Sequence, residues 1–287
     1  MPITCVVAAV DGSPASLHAL DWASDEADCR GVHLLVVHAS LRERYELDAG
    51  EEEDDPASEH ALVHSMLADA VLRARARRPG IRVDTEIVPQ ETVPALLGLG
   101  PLFPLLVLGT HGLGGFPGLL LGSVSLRVAG RATYPVVVVR GAGQAPEHRH
   151  SRIVLGSGPA DRSDRATEFA VEEACLWQAE LNLVRAWQAV PDKPGFPSVA
   201  RARIGAERAR AQLDAVPLPE ALPMGVKVRR SASQGSPAEV LLRAGADADL
   251  IVVGARRRRG LLGLALGAAN HALLHHAPCP VAILPEQ

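Results

Sequence analysis

The sequence predicts two tandem domains, each an open, doubly wound α/β fold built on a parallel sheet. Three observations carry this prediction. Short, nearly unbroken apolar runs alternate with helical stretches, the pattern of parallel strands covered on both faces. At 287 residues the chain is long enough for two cores of ordinary size. It also repeats itself: "LLVLGTHG" and "LIVVGARR" align Gly109 with Gly254, a shift of 254 − 109 = 145 that carries Gly122 to Gly267 and Pro135 to Pro280.

Near the two starts the shift is 147, where "DWASDEA" from Asp21 meets "EFAVEEA" from Glu168 and "LLVVHA" from Leu34 meets "LNLVRA" from Leu181. A drift of two residues is what one loop deletion leaves. A period this long marks duplication rather than a solenoid. The boundary falls in "GAGQAPEHRHS", which is polar, carries Gly and Pro and lacks periodicity, giving domains over residues 1–143 and 150–287.

In the first copy, "CVVAAV", "VHLLVVHA", "IRVDTEIV", "LLVLG" and "YPVVVVR" read as strands, because each is a short β-branched run bounded by turn residues. Helical stretches lie between them, from Ser13 to Cys29, Ser58 to Arg78, Thr92 to Leu99 and Val124 to Arg131. The second copy repeats the strands as "RIVLGS", "LNLVRA", "VKVRRSAS", "LIVVG" and "PVAIL". Two segments interrupt the pattern: the acidic "DAGEEEDDPASE", read as a solvated loop or helix start, and the loop "KPGFP".

Composition narrows the function. With 47% hydrophobic and 22% charged residues and a net charge of −4, the chain belongs with globular proteins, and nothing global indicates a nucleic-acid partner. Cys5, Cys29, Cys175 and Cys279 lack C-x-x-C spacing, so neither a zinc site nor a redox pair is indicated and reduced thiols are expected. "MPITCVVAAVDGS" has no basic leader and too short an apolar run for a signal peptide or membrane span. A cytoplasmic protein without membrane contact is the expectation.

The chemistry concentrates in "GTHGLGGFPGLLLGS", residues 109–123. Gly109 ends a strand, and in an open α/β sheet ligands bind outside the carboxyl ends of the strands where the chain order reverses. A glycine there lets backbone approach a ligand, and Gly122-Ser123-Val124-Ser125 opens a helix whose free N–H groups and Ser123 hydroxyl form an anion cradle. No Walker A loop is present, and composition alone leaves a phosphate cradle and a glycine-rich surface turn equally open.

The spacing Gly109-x2-Gly112-x9-Gly122-Ser123 resembles the ATP-binding signature of the universal stress protein family, G-x2-G-x9-G-(S/T). "VVAAVDGSPAS" is similar to the family's opening strand with its Asp-Gly-Ser, and "YPVVVVR" to its closing strand. The resemblance spans both copies. It implies Rossmann-like, adenine nucleotide alpha hydrolase-like domains that usually pair about their last strand. It also implies a site: Asp11 by the ribose with Ala9 and Val10 flanking it, and Ala39 offering backbone groups to the adenine edge. Leu108 and Gly109 would lie under the nucleotide, Gly112 would approach the phosphates, and Gly122, Ser123 and Val124 would cradle them. Mg2+ or Mn2+ would travel with the phosphates rather than occupy a protein cage.

The second copy departs from this pattern. Asp11 aligns with Gly158, Gly112 with Arg257 and Ser123 with Ala268, while Gly254 and Gly267 persist. Either that site is lost, the preferred reading, or the run Arg256 to Arg259 meets an anion by charge. His60 with His64 and His271 with His275 are i, i+4 pairs without a third ligand, expected to cap or face solvent rather than hold metal. No catalytic residue is assigned, since no G-x-S-x-G elbow, activating base or arginine finger is recognisable in the first copy. "RRRRG" without interleaved aromatics is a weak nucleic-acid signal.

The expected function is therefore an ATP-binding regulatory module with slow or no hydrolysis. Its two domains would pair about a pseudo-twofold axis, and a homodimer of whole chains is an additional option. An adenylyl-transfer enzyme would need more than His111 in the phosphate loop, and a nucleotide-free interaction module would not need the intact signature.

Overall fold

The computed structural model describes residues 3–41, 59–100, 104–112, 121–140, 151–158, 164–189, 198–219, 222, 225–255 and 266–286. These fall into two compact units, residues 3–140 and 151–286. The acidic run before Glu59, the "KPGFP" loop, the "GAGQAPEHRH" linker and the arginine run Arg256 to Arg259 lie outside the described residues.

The first unit runs β1 (Cys5–Ala9), α1 (Pro14–Arg30), β2 (His33–Ala39), α2 (Glu59–Arg77), β3 (Val83–Val88), α3 (Thr92–Leu97), β4 (Pro104–Gly109), α4 (Ser123–Ala129) and β5 (Val136–Val139). Its strands lie in the order β3-β2-β1-β4-β5, and every adjacent pair is parallel. Parallel strands need crossovers, and helices supply them on the sheet faces. The central strands are accordingly apolar throughout, with Val6, Val7, Leu105, Leu106, Val107, Val136 and Val137 fully buried.

Helix α1 begins where the sequence provides a cap. Ser13 accepts a hydrogen bond from the Ser16 N–H at 3.2 Å, and Pro14 occupies the first turn, where its missing N–H is not needed. It ends at Gly31, whose φ of +65° is the left-handed conformation that glycine adopts without a Cβ clash. Between these caps α1 buries an unusual set of residues, including Asp21, Asp25 and Glu26. Helix α2 pairs the first two: Arg73 donates to both oxygens of Asp21 at 2.7 and 2.6 Å, and Arg77 to both of Asp25 at 2.7 and 2.6 Å. Arg78 adds a bond to Asp25 at 2.8 Å, and Glu26 pairs with Arg30 one turn on.

The second unit comprises β6 (Arg152–Gly156), α5 (Asp164–Leu176), β7 (Glu180–Trp187), α6 (Ser198–Asp214), β8 (Val228–Gln234), α7 (Pro237–Gly245), β9 (Leu250–Ala255), α8 (Ala268–His276) and β10 (Val281–Pro285). Its order, β8-β7-β6-β9-β10, is the first unit's order counted within the copy. The pairing registers repeat as well. Val6 faces Leu34 and Ile153 faces Leu181, both 147 residues on, whereas Val83 and Leu105 correspond to Val228 and Leu250, both 145 on. The two-residue drift therefore falls between the second and third strands of the copies, in the stretch that in the first copy holds the acidic run.

Sequence-based boundaries differ from the observed ones by one or two residues. The third strand starts at Val83 rather than Ile81, and α4 starts at Ser123. All four cysteines are free thiols, and burial, with the Asp249 carboxylate adding to it, pushes the Cys279 thiol up to about 12. Among the described residues no helix is long and apolar enough to cross a membrane.

Candidate functional site

In the first unit the chain leaves β1 toward β2 on one side and returns through β4 toward β5 on the other. Loops after β1 and β4 therefore diverge and open a crevice at the carboxyl edge. A cavity of about 480 Å3 occupies this place. All ten residues singled out from the sequence line it: Ala9, Val10 and Asp11 after β1, Ala39 at the end of β2, Leu108, Gly109 and Gly112 around the end of β4, and Gly122, Ser123 and Val124 at the start of α4.

The apolar lining includes the buried side chains of Val10, Val37, Leu96, Leu108 and Leu121. Its polar side chains include the Asp11 carboxylate, the imidazoles of His38 and His111, and the hydroxyls of Ser16, Thr92, Ser123 and Ser125. No lysine or arginine is among the described lining residues. Negative charge in this cavity would be met by backbone N–H groups and hydroxyls.

Asp11 is both a turn residue and a wall of the cavity. Its Oδ1 accepts from the Ser13 N–H at 3.0 Å, an Asx turn that the following Gly12 completes with a φ of +78°. The carboxylate is directed at the glycine segment, for a Cβ built on Gly112 would lie 2.3 Å from Asp11 Oδ2. Gly112 is thus glycine because the Asp11 carboxylate fills the space beside it. Gly109 has a different reason: its Cβ would fall 2.6 Å from the backbone carbon and oxygen of Ala15, so the first turn of α1 packs directly on it.

Gly122 closes the segment. Its N–H donates to the Thr110 carbonyl, and it caps α4 in an extended conformation without any side-chain cap. The first N–H groups of α4 are thus not taken by a capping side chain. Ser125, one turn in, donates its hydroxyl to the Gly109 carbonyl at 2.6 Å and ties the helix to the strand end. On the opposite wall His38 Nδ1 lies 2.8 Å from the Val10 carbonyl. A carbonyl only accepts, so Nδ1 carries the proton. Thr92 donates to the Ala39 carbonyl at 3.4 Å, which leaves that oxygen a second lone pair.

Sequence reasoning gave no role to the side chains of His38, Thr92 or Ser125. Two of them have counterparts in the second copy that make the same bond. Asn270 stands 145 residues after Ser125 and donates to the Gly254 carbonyl at 2.9 Å. Arg185 stands 147 residues after His38 and donates to the Ser157 carbonyl at 3.4 Å. Each bond is kept by a different side chain in each copy.

The model of the universal stress protein family matches the chain twice, over residues 3–140 and 150–285. The chain belongs to this family. It is 31% identical over 292 residues to the universal stress protein Rv2005c of Mycobacterium tuberculosis H37Rv, an alignment covering 97% of this chain and 96% of that one. Its identity to the universal stress protein Rv2623 of the same strain is 28% over 303 residues, covering 98% and 96% of the two chains. The crystal structure of a universal stress protein from Archaeoglobus fulgidus DSM 4304 superposes with a TM-score of 0.67 over 99% of both chains at 18% identity, a likeness of fold.

The two halves of this universal stress protein are not equal at the site. Gly156 replaces Ala9, and a Cβ on it would meet Val253 Cγ1 at 2.9 Å and Leu241 Cδ1 at 3.0 Å. A Cβ on Gly254 would meet Glu286 Oε1 at 2.7 Å, so a carboxylate sits beside this strand end. The alternative anion site at Arg256 to Arg259, with Arg257 in place of Gly112, lies outside the described residues. The His60–His64 rings contact each other on an exposed face, and the His271–His275 rings stack with His275 half-buried. No group of three His, Cys, Asp or Glu able to hold a metal occurs among the described residues.

Proposed function

We propose that the first unit binds ATP in the cavity at the end of β1 and β4, and that the chain works as a nucleotide-dependent regulatory module of the cytoplasm. The observation that carries this reading is convergence. Asp11, Ala39, Gly112 and Gly122 to Val124 are separated in sequence, were assigned to one ligand by the resemblance, and line one cavity at the reversal point of the sheet.

The division of the cavity supports the assignment of parts. The apolar side chains of Val10, Leu96 and Leu108 suit a base, and Ala39 offers it backbone groups. Asp11 is placed to accept from a ribose hydroxyl. Gly112, Gly122 and Ser123 offer an uncapped backbone and a hydroxyl to phosphates, the chemistry that helix starts supply to anions. Mg2+ or Mn2+, when bound, would neutralise phosphate charge, with Ser123 and Ser125 the hydroxyls at hand. Slow or absent hydrolysis belongs to this reading because no attacking-water base or arginine finger is recognisable in the sequence of the first copy.

The second unit, with Gly158 for Asp11 and Ala268 for Ser123, serves the fold and the pairing of the two domains through their last strands. One ATP per chain is the expected stoichiometry. Mass spectrometry of the denatured purified protein for retained ATP, followed by calorimetric titration of the emptied protein, tests it. Two equal sites, or no binding of adenine nucleotide at millimolar concentration, would overturn the reading.

A further inference from the structure

Ser13 is buried, outside the lining of the cavity, and bonded in two directions. Its Oγ accepts from the Ser16 N–H at 3.2 Å as the cap of α1, and donates to the His111 carbonyl at 3.2 Å, joining the loop after β1 to the loop after β4. Around it, the Ser13 N–H donates to Asp11 Oδ1 at 3.0 Å, Ser16 Oγ donates to the Ser13 carbonyl at 2.9 Å, and the Asp11 N–H donates to Ser16 Oγ at 3.4 Å. Ser13 therefore holds the Asp11 carboxylate by its backbone N–H and the residue before Gly112 by its side chain. The close approach of Gly112 to Asp11 Oδ2 lies next to that bond.

We infer that Ser13 is a positioning residue of the nucleotide site: its hydroxyl latches the His111-Gly112 backbone onto the Asp11 turn and so fixes the spacing between the ribose-side carboxylate and the phosphate-side glycine. The inference rests on the nucleotide reading above. The two copies separate this bond from bonds that serve the fold alone. The tie from α4 to the strand end is kept in both, by Ser125 and by Asn270, although the side chain differs. The Ser13 position, carried 147 residues on, is Ala160, which has no hydroxyl to donate. It is lost in the copy that has also lost Asp11, to Gly158, and Gly112, to Arg257. A donor that disappears together with the two groups it holds together follows the site and not the sheet.

The test must separate the latch from the cap. Glycine is an accepted helix cap but has no hydroxyl, whereas threonine keeps both functions. Ser13→Gly and Ser13→Thr are compared with the parent chain by thermal midpoint, ATP titration, and hydrogen exchange of the peptide covering residues 108–112. The expected result for Ser13→Gly is a nearly unchanged midpoint, faster exchange in that peptide and about tenfold weaker ATP binding, the size of one lost hydrogen bond. Ser13→Thr should restore both exchange and affinity. Unchanged exchange in Ser13→Gly overturns the latch, and faster exchange with unchanged affinity overturns its positioning role. A parent chain that binds no ATP overturns the nucleotide reading and the positioning role with it, while the exchange comparison still decides whether the latch exists.

Discussion

Gly112 and Asp11 interact across 112 − 11 = 101 residues of sequence, and their contact gives the glycine signature a physical cause beyond ligand approach. A Cβ at Gly112 would come within 2.3 Å of Asp11 Oδ2, so any larger residue must displace either the carboxylate or the loop. Gly112→Ala should weaken ATP binding at least tenfold while the exposed position leaves the fold intact. Asp11→Ala should weaken it by about 1 to 3 kcal/mol through an unpartnered ribose hydroxyl. The two changes should not add, because removing the carboxylate opens the space that the alanine needs. Calorimetry on both single variants and the double variant measures this. An identical penalty for Gly112→Ala in both backgrounds would assign the glycine to phosphate approach alone. At this scale the sequence was legible as a spacing: Gly109, Gly112, Gly122 and Ser123 stood out together, and they line one cavity. Ser125 and His38 did not, since what the two copies share there is a bond to a carbonyl, made by Ser or Asn and by His or Arg.

Helices differ from strands in how much of them could be read. The strands were visible as apolar runs because parallel strands are buried on both faces, as in the unbroken Val136 to Val139. Helix α1 carries acids on the side it buries, and its partners lie 52 residues away in α2, a pairing that no local period reveals. Asp25 takes three bonds from Arg77 and Arg78 and its side chain is 10% exposed, while the arginines are 28% and 39% exposed. Asp25→Ala removes one carboxylate from two partly exposed guanidinium groups, and Arg78 still has Asp28 at 3.7 Å, so the loss falls short of the 3 to 5 kcal/mol typical of a fully buried broken pair. A cost of about 1 to 3 kcal/mol is expected. The Arg82–Asp84 pair on the edge strand is 79% and 45% exposed, and Asp84→Ala should cost less than about 0.5 kcal/mol. Urea unfolding of both variants makes the comparison, and equal effects would show that the α1–α2 pairs contribute no more than surface charges.

Duplication leaves two copies of one fold whose sheet order and registers are both kept, while the glycine signature is whole in the first copy and altered in the second. What the second copy shares with the first is therefore a clue to what that copy supplies. Gly254, Gly267 and the closing strand remain, whereas the counterparts of Asp11 and Ser123 are gone. Strands β5 and β10 are each the last strand of their own unit's sheet, each follows a proline, and each is an uninterrupted apolar run, VVVV and VAILP. A proline cannot donate to a ladder, which suits the start of such a strand, and an apolar edge left in water invites pairing with another chain. In a tandem chain the partner is supplied at a fixed ratio of one to one, and the proposed pairing of the two closing strands would cover both edges within one chain. Halves spanning residues 1–143 and 150–287, produced separately, should then associate on mixing into a one-to-one complex by light scattering. Alone, each should self-associate or lose solubility, because its closing strand has one open edge. Two stable, soluble monomers with no affinity for each other would show that the closing strands do not pair, and that the second copy is kept for a reason other than the first copy's edge.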